Sequence, residues 1–437
     1  MCDSDQTNLN KSTQAAIWLQ RRLDTGGCDL HLHTSHSDGS DTPEQTVDRA
    51  LSAGLRTIAI TDHDNMSAYP DALKYLQACL LPAEEPRPVL IAGVELSVDD
   101  NGFELHLLGY FPFGGMERIE RFLAEQQELR RQRNRQMIQR LQGLGYAISQ
   151  DEFDAGGQGS AGRLQAAVLL CRKGYFQDIG QVFEQLLGMD KPGYVERPRP
   201  SVNDAIQLIR EAGGVTVLAH PALYGWCGGR PFVSSRLLAK LTRLRAAGLQ
   251  GVEAYHGEAS RDEQQEVAAA GLVIGLINTA GSDDHGLNKK KRLMYSGSCQ
   301  WTDRPVFLVA AALCPGPDRN GKATWLLGRR RTQGKLDGFW ELPGGKVEPG
   351  ETPAGALQRE MSEEMAVQAK IGSIRLVLIH NDPEKQVILV LIDTQIGSQA
   401  IAQNAHDQFC YATAEEALAL NLLPADALLI QKLAENS

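Results

Sequence analysis

The chain has 437 residues, room for two or three domains at about 150 residues each. Apolar residues make up 42% and charged residues 22%, which excludes a mainly disordered chain. With 44 basic and 54 acidic residues the net charge is −10, which excludes a general nucleic-acid coat but not local basic patches. The text contains no apolar run of about 18 residues, so no membrane span is expected. The polar start MCDSDQTNLNKSTQ lacks the apolar centre of a signal peptide. The eight cysteines form no C-x-x-C pair, and they read as reduced thiols of a cytoplasmic protein.

Residues 1–24 read as a polar leader ending in a helix around AAIWLQRRL. From Cys28, short apolar runs (CDLHLH, TIAITDH, VLIAGVEL, ELHLLGY, GVTVLAH, GVEAYH, LVIGLINTAGSDDH) alternate in many places with helical text such as PEQTVDRALSAGL and VNDAIQLIREAGG. Strands alternating with helices predict a parallel α/β sheet or barrel over 25–297. The alternation stops between Phe113 and about Ser201, where a long helix (MERIERFLAEQQELRRQRNRQMIQRLQGLGY) opens a helical insert. Arg130, Arg131, Arg133, Arg135 and Arg140 of that helix read as a solvated face, with phosphate contact as the other reading. The pattern breaks again within Leu287–Arg304; a linker is expected at 298–303, after the basic segment Lys289–Arg292. A second unit, 304–437, opens with VFLVAAALC and ATWLLGRRR, two strands expected to form a hairpin across PGPDRNGK.

Most of the ten histidines stand at the ends of predicted strands, the rim where a β/α barrel gathers catalytic groups. Residues two apart in a strand share a face, so His31 and His33 can grip one ion, as can Asp283 and His285. His63, Glu95, His106 and His220 belong to comparable runs, and Asp38 follows the first strand. Mixed imidazole and carboxylate donors suit Zn, Mn or Fe, and nine candidates suit two or three ions.

The motifs DLHLHTSHSDGS, ITDHD, GVELS, LAHP and GSDDHG, in this order, resemble the PHP phosphoesterase family over roughly residues 28–297. The resemblance implies a distorted (βα)7 barrel with two or three metal ions, Mn2+ or alternatively Zn2+ or Fe2+. Carried over, the ligands are His31, His33, Asp38, His63, Glu95, His106, His220, Asp283 and His285. The subgroup it is most similar to removes phosphate from 3′,5′-bisphosphonucleotides or from RNA and DNA 5′ ends. That subgroup has Arg-Pro-His where this chain has Arg163-Leu164-Gln165; Arg163 keeps the phosphate-binding fork. His36 and His256 lie near ligand motifs, and His256 is expected at the substrate; His380 and His406 are read as structural.

In GGKVEPGETPAGALQREMSEEMAV, Glu360, Glu363 and Glu364 share a helix face, where their repulsion would turn into binding around Mg2+ or Mn2+. Gly344 and Gly345 permit a tight turn whose carbonyls approach the same ions, Glu351 with Thr352-Pro353 marks the helix start, and Arg359 can hold a carboxylate. The spacing resembles the Nudix box, which implies an α/β/α sandwich with a mixed sheet over 304–437. It also implies hydrolysis of nucleoside diphosphate linkages, with Glu351, Arg359, Glu360 and Glu363 as the catalytic set. GRRR, GFWELPGGK and LLPADALLIQKL are similar to the branch acting on 8-oxo-dGTP, with Arg330 (or Arg329 or Arg331) on phosphates and Asp426 at the base. Two departures stand out: Ala366 replaces the box's late glycine, and an expected acid falls at Ala405, with Asp407 the nearest carboxylate.

The sequence is thus read as a cytoplasmic, bifunctional nucleotide hydrolase with no membrane partner. Its substrates would include nucleotides and short single-stranded ends, and its oligomeric state is left open. Two alternatives stand beside this reading. The barrel would act on a non-nucleotide monoester such as histidinol phosphate, or one domain would be a silent nucleotide sensor.

Overall fold

The structure, a computed structural model, describes residues 2–80, 87–155, 162–288, 304–331, 336–397 and 400–435. The linker expected at 298–303 and the basic segment Lys289–Arg292 lie outside the described residues. The chain packs as two units. The first comprises Met1–Tyr224, Thr242–Gln264 and Leu276–Gln300, the second Gly225–Leu241, Gln265–Gly275 and Trp301–Ser437. No helix among the described residues is long and apolar enough to cross a membrane.

Seven strands, β1 (Cys28–Leu32), β2 (Thr57–Ile60), β3 (Val89–Asp100), β4 (Phe103–Phe111), β5 (Val215–Leu218), β6 (Gly251–His256) and β7 (Ile277–Gly281), follow one another in sheet order. β4 runs antiparallel to β3 and β5, and the other neighbours are parallel. The outer strands approach each other: Leu32 bridges Asp284, and the His33 amide donates to the Asp284 carbonyl at 3.0 Å. The result is a nearly closed, distorted barrel. β1, β2, β5 and β6 are buried throughout, as expected of strands covered on both faces.

Helices follow the strands. The expected leader is instead one helix, α1 (Cys2–Asp24). Ala15, Leu19 and Leu23, four apart, are buried, and the Ser12 hydroxyl donates to the Gly214 carbonyl at 2.7 Å. The sequence shows this apolar row only from AAIWLQRRL onward, because the preceding turns are polar. α2 (Pro43–Ser52) starts in a capping box between Thr42 and Gln45; with α3 (Ala68–Ala78) it closes a core of Leu32, Val47, Ile58 and Leu76. The insert holds α4 (Glu120–Gly143), α5 (Gln150–Ala155), α6 (Arg163–Arg172) and α7 (Ile179–Val182), with a core of its own around Met137, Leu141, Phe153, Leu170 and Leu186. α8 (Val202–Glu211), capped by Ser201, returns the chain to β5; α9 (Ser235–Ala246) and α10 (Arg261–Ile274) come after β5 and β6.

The second unit has two sheets. β8 (Val306–Leu313), β11 (Gly344–Lys346), β12 (Lys370–Asn381) and β13 (Gln386–Gln395) form a mixed sheet in the order β11-β8-β13-β12. β9 (Trp325–Arg330), β10 (Trp340–Glu341) and β14 (His406–Ala412) form an antiparallel one. Between β8 and β9 the chain turns back on itself as expected, with Pro315 bridging Trp325, Arg319 bridging Lys322 and the Gly316 amide donating to the Thr324 carbonyl at 2.9 Å, but the two strands themselves enter different sheets. α11 (Pro353–Met365) is capped by Thr352, and α12 (Ala414–Leu418) and α13 (Pro424–Glu435) close the chain's described part. Gly344 and Gly345 are not a turn but strand β11, pressed on β8 so closely that a Cβ at Gly344 would lie 2.1 Å from the Ala310 carbonyl oxygen.

Candidate functional site

The barrel rim brings the nine expected ligands together. Three groups, each with candidate ligand atoms within 4.8 Å of one another, are His33–Asp38–His63–His285, His31–His33–Glu95–Asp283 and Glu95–His106–His220. Glu95 is their centre: His31, His33, His63, His106 and His220 all place a ring nitrogen 2.8–3.3 Å from its oxygens. Not all of these side chains stand at strand ends. His106 sits early in β4, and because β4 runs antiparallel its beginning reaches the same rim.

Buried partners aim the rings. Glu253 Oε1 lies 3.0 Å from His31 Nδ1, and its Oε2 accepts the His220 amide at 2.8 Å. The His285 Nδ1 lies 2.9 Å from the Asp283 carbonyl oxygen, and Asp62 accepts from the Thr34 amide and hydroxyl at 2.7 and 2.6 Å. His220 and Asp283 hold left-handed backbone conformations (φ 33° and 53°), strain that clusters at functional sites.

The donor set fits divalent cations. His31 Nε2, His33 Nε2, His63 Nδ1, Asp38 Oδ1 and Glu95 Oε2 are buried and crowd one another, Glu95 Oε1 and His285 at 3.1–3.3 Å without a well-aligned hydrogen bond. Burial disfavours charge on His33, yet Asp283 and Glu95 raise it to about 9; burial is likewise overcome at His106, where Glu95 and Glu104 raise it to about 10. His33 and His106 take up protons to balance the acids, a task a cation among them would perform instead, whereas burial lowers His63 to about 3 and lowers His220 as well.

A cavity of 1030 Å³ opens over these groups, with Asp38, His63, Glu95 and Asp283 in its wall. Arg130, Arg133, Arg163, Arg197 and Arg199 share that wall. The helix read as a solvated face is therefore divided: Arg131 and Arg135 pair with Glu128 in solvent, while Arg130 and Arg133 turn inward. Asp64 accepts from Arg130 Nη2 at 2.6 Å and Arg197 Nη1 at 2.8 Å; although burial favours its neutral form, these two hold it at about 2. Glu104 accepts from Arg163 Nη2 at 3.0 Å, with Arg199 at 3.5 Å. Arg133, 8% exposed, pairs with no carboxylate among the described residues. Burial and its neighbours Arg130, Arg163 and Arg197 press its charge down. Five guanidiniums facing two carboxylates make an anion-seeking wall.

Sequence reasoning missed Arg197 and Arg199, though their alternation in VERPRPS was a signal, and missed Glu253, an acid inside the apolar run GVEAYH. His256, expected at the substrate, is fully buried beneath the rim with Nε2 3.8 Å from Asp283, because β6 carries it inward. His36 lies 2.7 Å from the Ser67 hydroxyl and joins none of the three groups.

In the second unit Arg359 organises the acids. It donates to Glu351 at 2.9 and 3.0 Å, to Glu360 at 2.7 Å and to Glu363 at 3.3 Å. Glu351 is held at about 2 by Arg359, and Glu363 is exposed. A Cβ at Gly345 would lie 2.3 Å from the Glu360 carboxyl carbon, so glycine leaves room for that carboxylate. Glu360, Glu363, Glu364 and Gly344 do not form a preassembled ligand group among the described residues, because Arg359 engages the first two. The acids still fit a cation by their chemistry. Glu364 is pushed up to about 7 by burial; His406 opposes this, while Glu341 and Glu360 add to it. Arg330 Nη1 donates to Glu341 at 2.6 Å, and Asp426, buried, accepts the Leu342 amide at 2.9 Å. Asp407, the acid nearest Ala405, is turned to solvent by Arg329. His406, read as structural, is buried 2.9 Å from Glu341.

The PHP domain family matches residues 29–194 and the NUDIX domain family residues 308–433. The 3′,5′-nucleoside bisphosphate phosphatase of Chromobacterium violaceum is 32% identical over 266 residues, 59% of this chain and 86% of that protein. The 5′-3′ exoribonuclease Rnm of Escherichia coli is 31% identical over 268 residues, 59% of this chain and 84% of that protein. The CTP pyrophosphohydrolase of Escherichia coli is 34% identical over 128 residues, 29% of this chain and 89% of that protein. The chain belongs to the PHP-domain phosphoesterases and also carries a Nudix hydrolase domain, two hydrolase units for phosphate esters and diphosphates.

Proposed function

We propose that the PHP unit removes phosphate from 3′,5′-bisphosphonucleotides or from the 5′ ends of short single-stranded RNA or DNA. The Nudix unit, in the same proposal, hydrolyses nucleoside triphosphates of the 8-oxo-dGTP type to monophosphate and pyrophosphate. The observation that carries the first part is the arginine wall beside the imidazole–carboxylate groups. A substrate with one phosphate would use the imidazole–carboxylate groups alone; a second phosphate gives the arginine wall its partner. The same wall argues against a small non-nucleotide monoester such as histidinol phosphate.

His31, His33, Asp38, His63, Glu95, His106, His220, Asp283 and His285 would hold two or three Mn2+, Zn2+ or Fe2+ ions. Such ions, when bound, lower the pKa of water from about 15.7 towards about 7 and neutralise phosphoryl oxygens. Glu253 keeps His31 turned towards the site. Arg163 and Arg133 would hold the second phosphate through their planar forks. In the Nudix unit, Glu360, Glu363 and Glu364 would hold Mg2+ or Mn2+, Glu351 and Arg359 would position them, and Arg330 and Asp426 would meet the triphosphate and the base. Likeness to a CTP pyrophosphohydrolase supports a second reading in which a pyrimidine triphosphate fills this unit.

A nucleotide library, screened with Mn2+ and with Mg2+ and read separately for phosphate and pyrophosphate, tests both parts. Phosphate release from bisphosphates lost in His33→Ala, and pyrophosphate release lost in Glu363→Ala, is the expected pattern. Wild-type rates in either variant would make that unit a silent sensor.

A further inference from the structure

The glutamate-rich helix accounts for only part of the Nudix unit's buried polar chemistry. His406 opens β14 and is 1% exposed. Its ring crosses β9 at Gly328, where a Cβ would lie 2.5 Å from His406 Cδ2 and 3.0 Å from Nε2. Only glycine leaves that passage open, and through it Nε2 reaches Glu341 Oε1 at 2.9 Å. The other Glu341 oxygen accepts Arg330 Nη1 at 2.6 Å. With Nε2 donating to a carboxylate, Nδ1 carries the lone pair. That Nδ1 is buried and has no hydrogen-bond partner.

A histidine that donates one ring N–H to a carboxylate and leaves the other nitrogen bare has the arrangement of metal-binding imidazoles. The chain before it is tied to the end of α11: Asn404 donates its amide to the Glu364 carbonyl at 3.3 Å and its side-chain amide to the Glu363 carbonyl at 2.8 Å. His406 follows two residues later. Its neighbour Ala405 has no donor side chain, and Asp407 is occupied by Arg329.

We propose that His406 Nδ1 is a nitrogen ligand to a divalent cation held with Glu364, so that the Nudix unit has a mixed imidazole–carboxylate site. Glu341 is its positioning residue, fixing the tautomer that leaves Nδ1 free. The proposal rests on the Nudix reading and adds a ligand to it. A nitrogen donor moves the site's preference from Mg2+ towards Mn2+ or Zn2+.

The test uses the full chain with His31→Ala and His33→Ala, which thins out the imidazole groups of the barrel. Mn2+ is titrated into this protein with and without His406→Ala, and nitrogen coupling to bound Mn2+ is read by pulsed electron paramagnetic resonance. His406→Ala is expected to weaken one Mn2+ site at least about tenfold and to reduce the nitrogen coupling. Glu341→Gln is expected to weaken the same site by about 10–100-fold, the usual effect of losing a ligand's orienting partner, with some coupling kept. Circular dichroism confirms that each variant is folded. Identical isotherms and coupling with and without His406 would overturn the proposal, and Mg2+-supported triphosphate hydrolysis in the same protein would leave the Nudix reading standing. Loss of that hydrolysis in the His31→Ala/His33→Ala protein, together with no binding at all, would remove both.

Discussion

Glu253 stands directly behind His31, its Oε1 3.0 Å from the ring Nδ1, and both side chains are fully buried. The pair sets which nitrogen His31 offers to Glu95 and Asp283. Glu253→Gln keeps the size but gives up the charge that holds the tautomer. Metal content after dialysis should show affinity down by about 10–100-fold with an unchanged circular dichroism spectrum. Full occupancy in this variant would mean that His31 needs no orienting partner.

Arg133 is a buried guanidinium in the cavity wall that pairs with no carboxylate among the described residues. Its gain must come from a bound anion, since in the free protein it costs desolvation. Arg133→Met should raise KM for a bisphosphonucleotide by about tenfold or more, the value of a hydrogen bond to a charged group. Turnover of p-nitrophenyl phosphate should be unchanged, and the unfolding midpoint should stay or rise. Equal losses on both substrates would place Arg133 at the reacting phosphate instead.

Asp64 plays the opposite part, because it neutralises Arg130 and Arg197 in a buried setting. Asp64→Ala strands two cations beside Arg133. The loss should be about 3–5 kcal/mol, the range for breaking a buried ion pair from one side. Chemical denaturation of metal-free protein measures it, and a loss below 1 kcal/mol would show that water reaches the cluster.

The candidate ligand cluster was legible because alternation in strands writes a shared face into the sequence: His31 and His33 come to one rim because they are two apart. The inward turn of Arg130 and Arg133 was not legible, because a basic helix face looks the same in solvent and over a cavity. What decides it is the seating of α4 over Asp64, which lies 66 residues away from Arg130. His406 was hidden for a similar reason. Its meaning depends on Gly328 and Glu341, from two other strands, and no local pattern joins them.

Ala366 ends α11 in a left-handed conformation at φ 53°, with its N–H donating to the Ser362 carbonyl at 3.1 Å. A Cβ there costs about 1–2 kcal/mol. Ala366→Gly should therefore stabilise the second unit by about 1 kcal/mol after the entropy glycine adds to the unfolded chain. A thermal midpoint raised by a few degrees, with unchanged hydrolysis, is expected; a lower midpoint would mean that the helix end relaxes without strain.

Asp426 gives the pH dependence its sign. Burial, with the charge of Glu341 adding to it, pushes this acid up to about 7, against about 3.9 in an unfolded chain. Between those values the folded state binds a proton that the unfolded state has lost, so stability falls as pH rises from about 4 towards 7. Glu364, also pushed up to about 7, works in the same direction. Asp426→Asn keeps an oxygen to accept the Leu342 amide and removes one of the two titrations. Metal-free wild type and variant should be of similar stability at pH 4. At pH 8 the variant should be more stable by about 1 kcal/mol or more, since each unit of displacement is about 1.4 kcal/mol. Parallel stability curves across this range would show that Asp426 stays ionised, and that the cluster of Glu341, Glu364 and Asp426 is wetter than its burial implies.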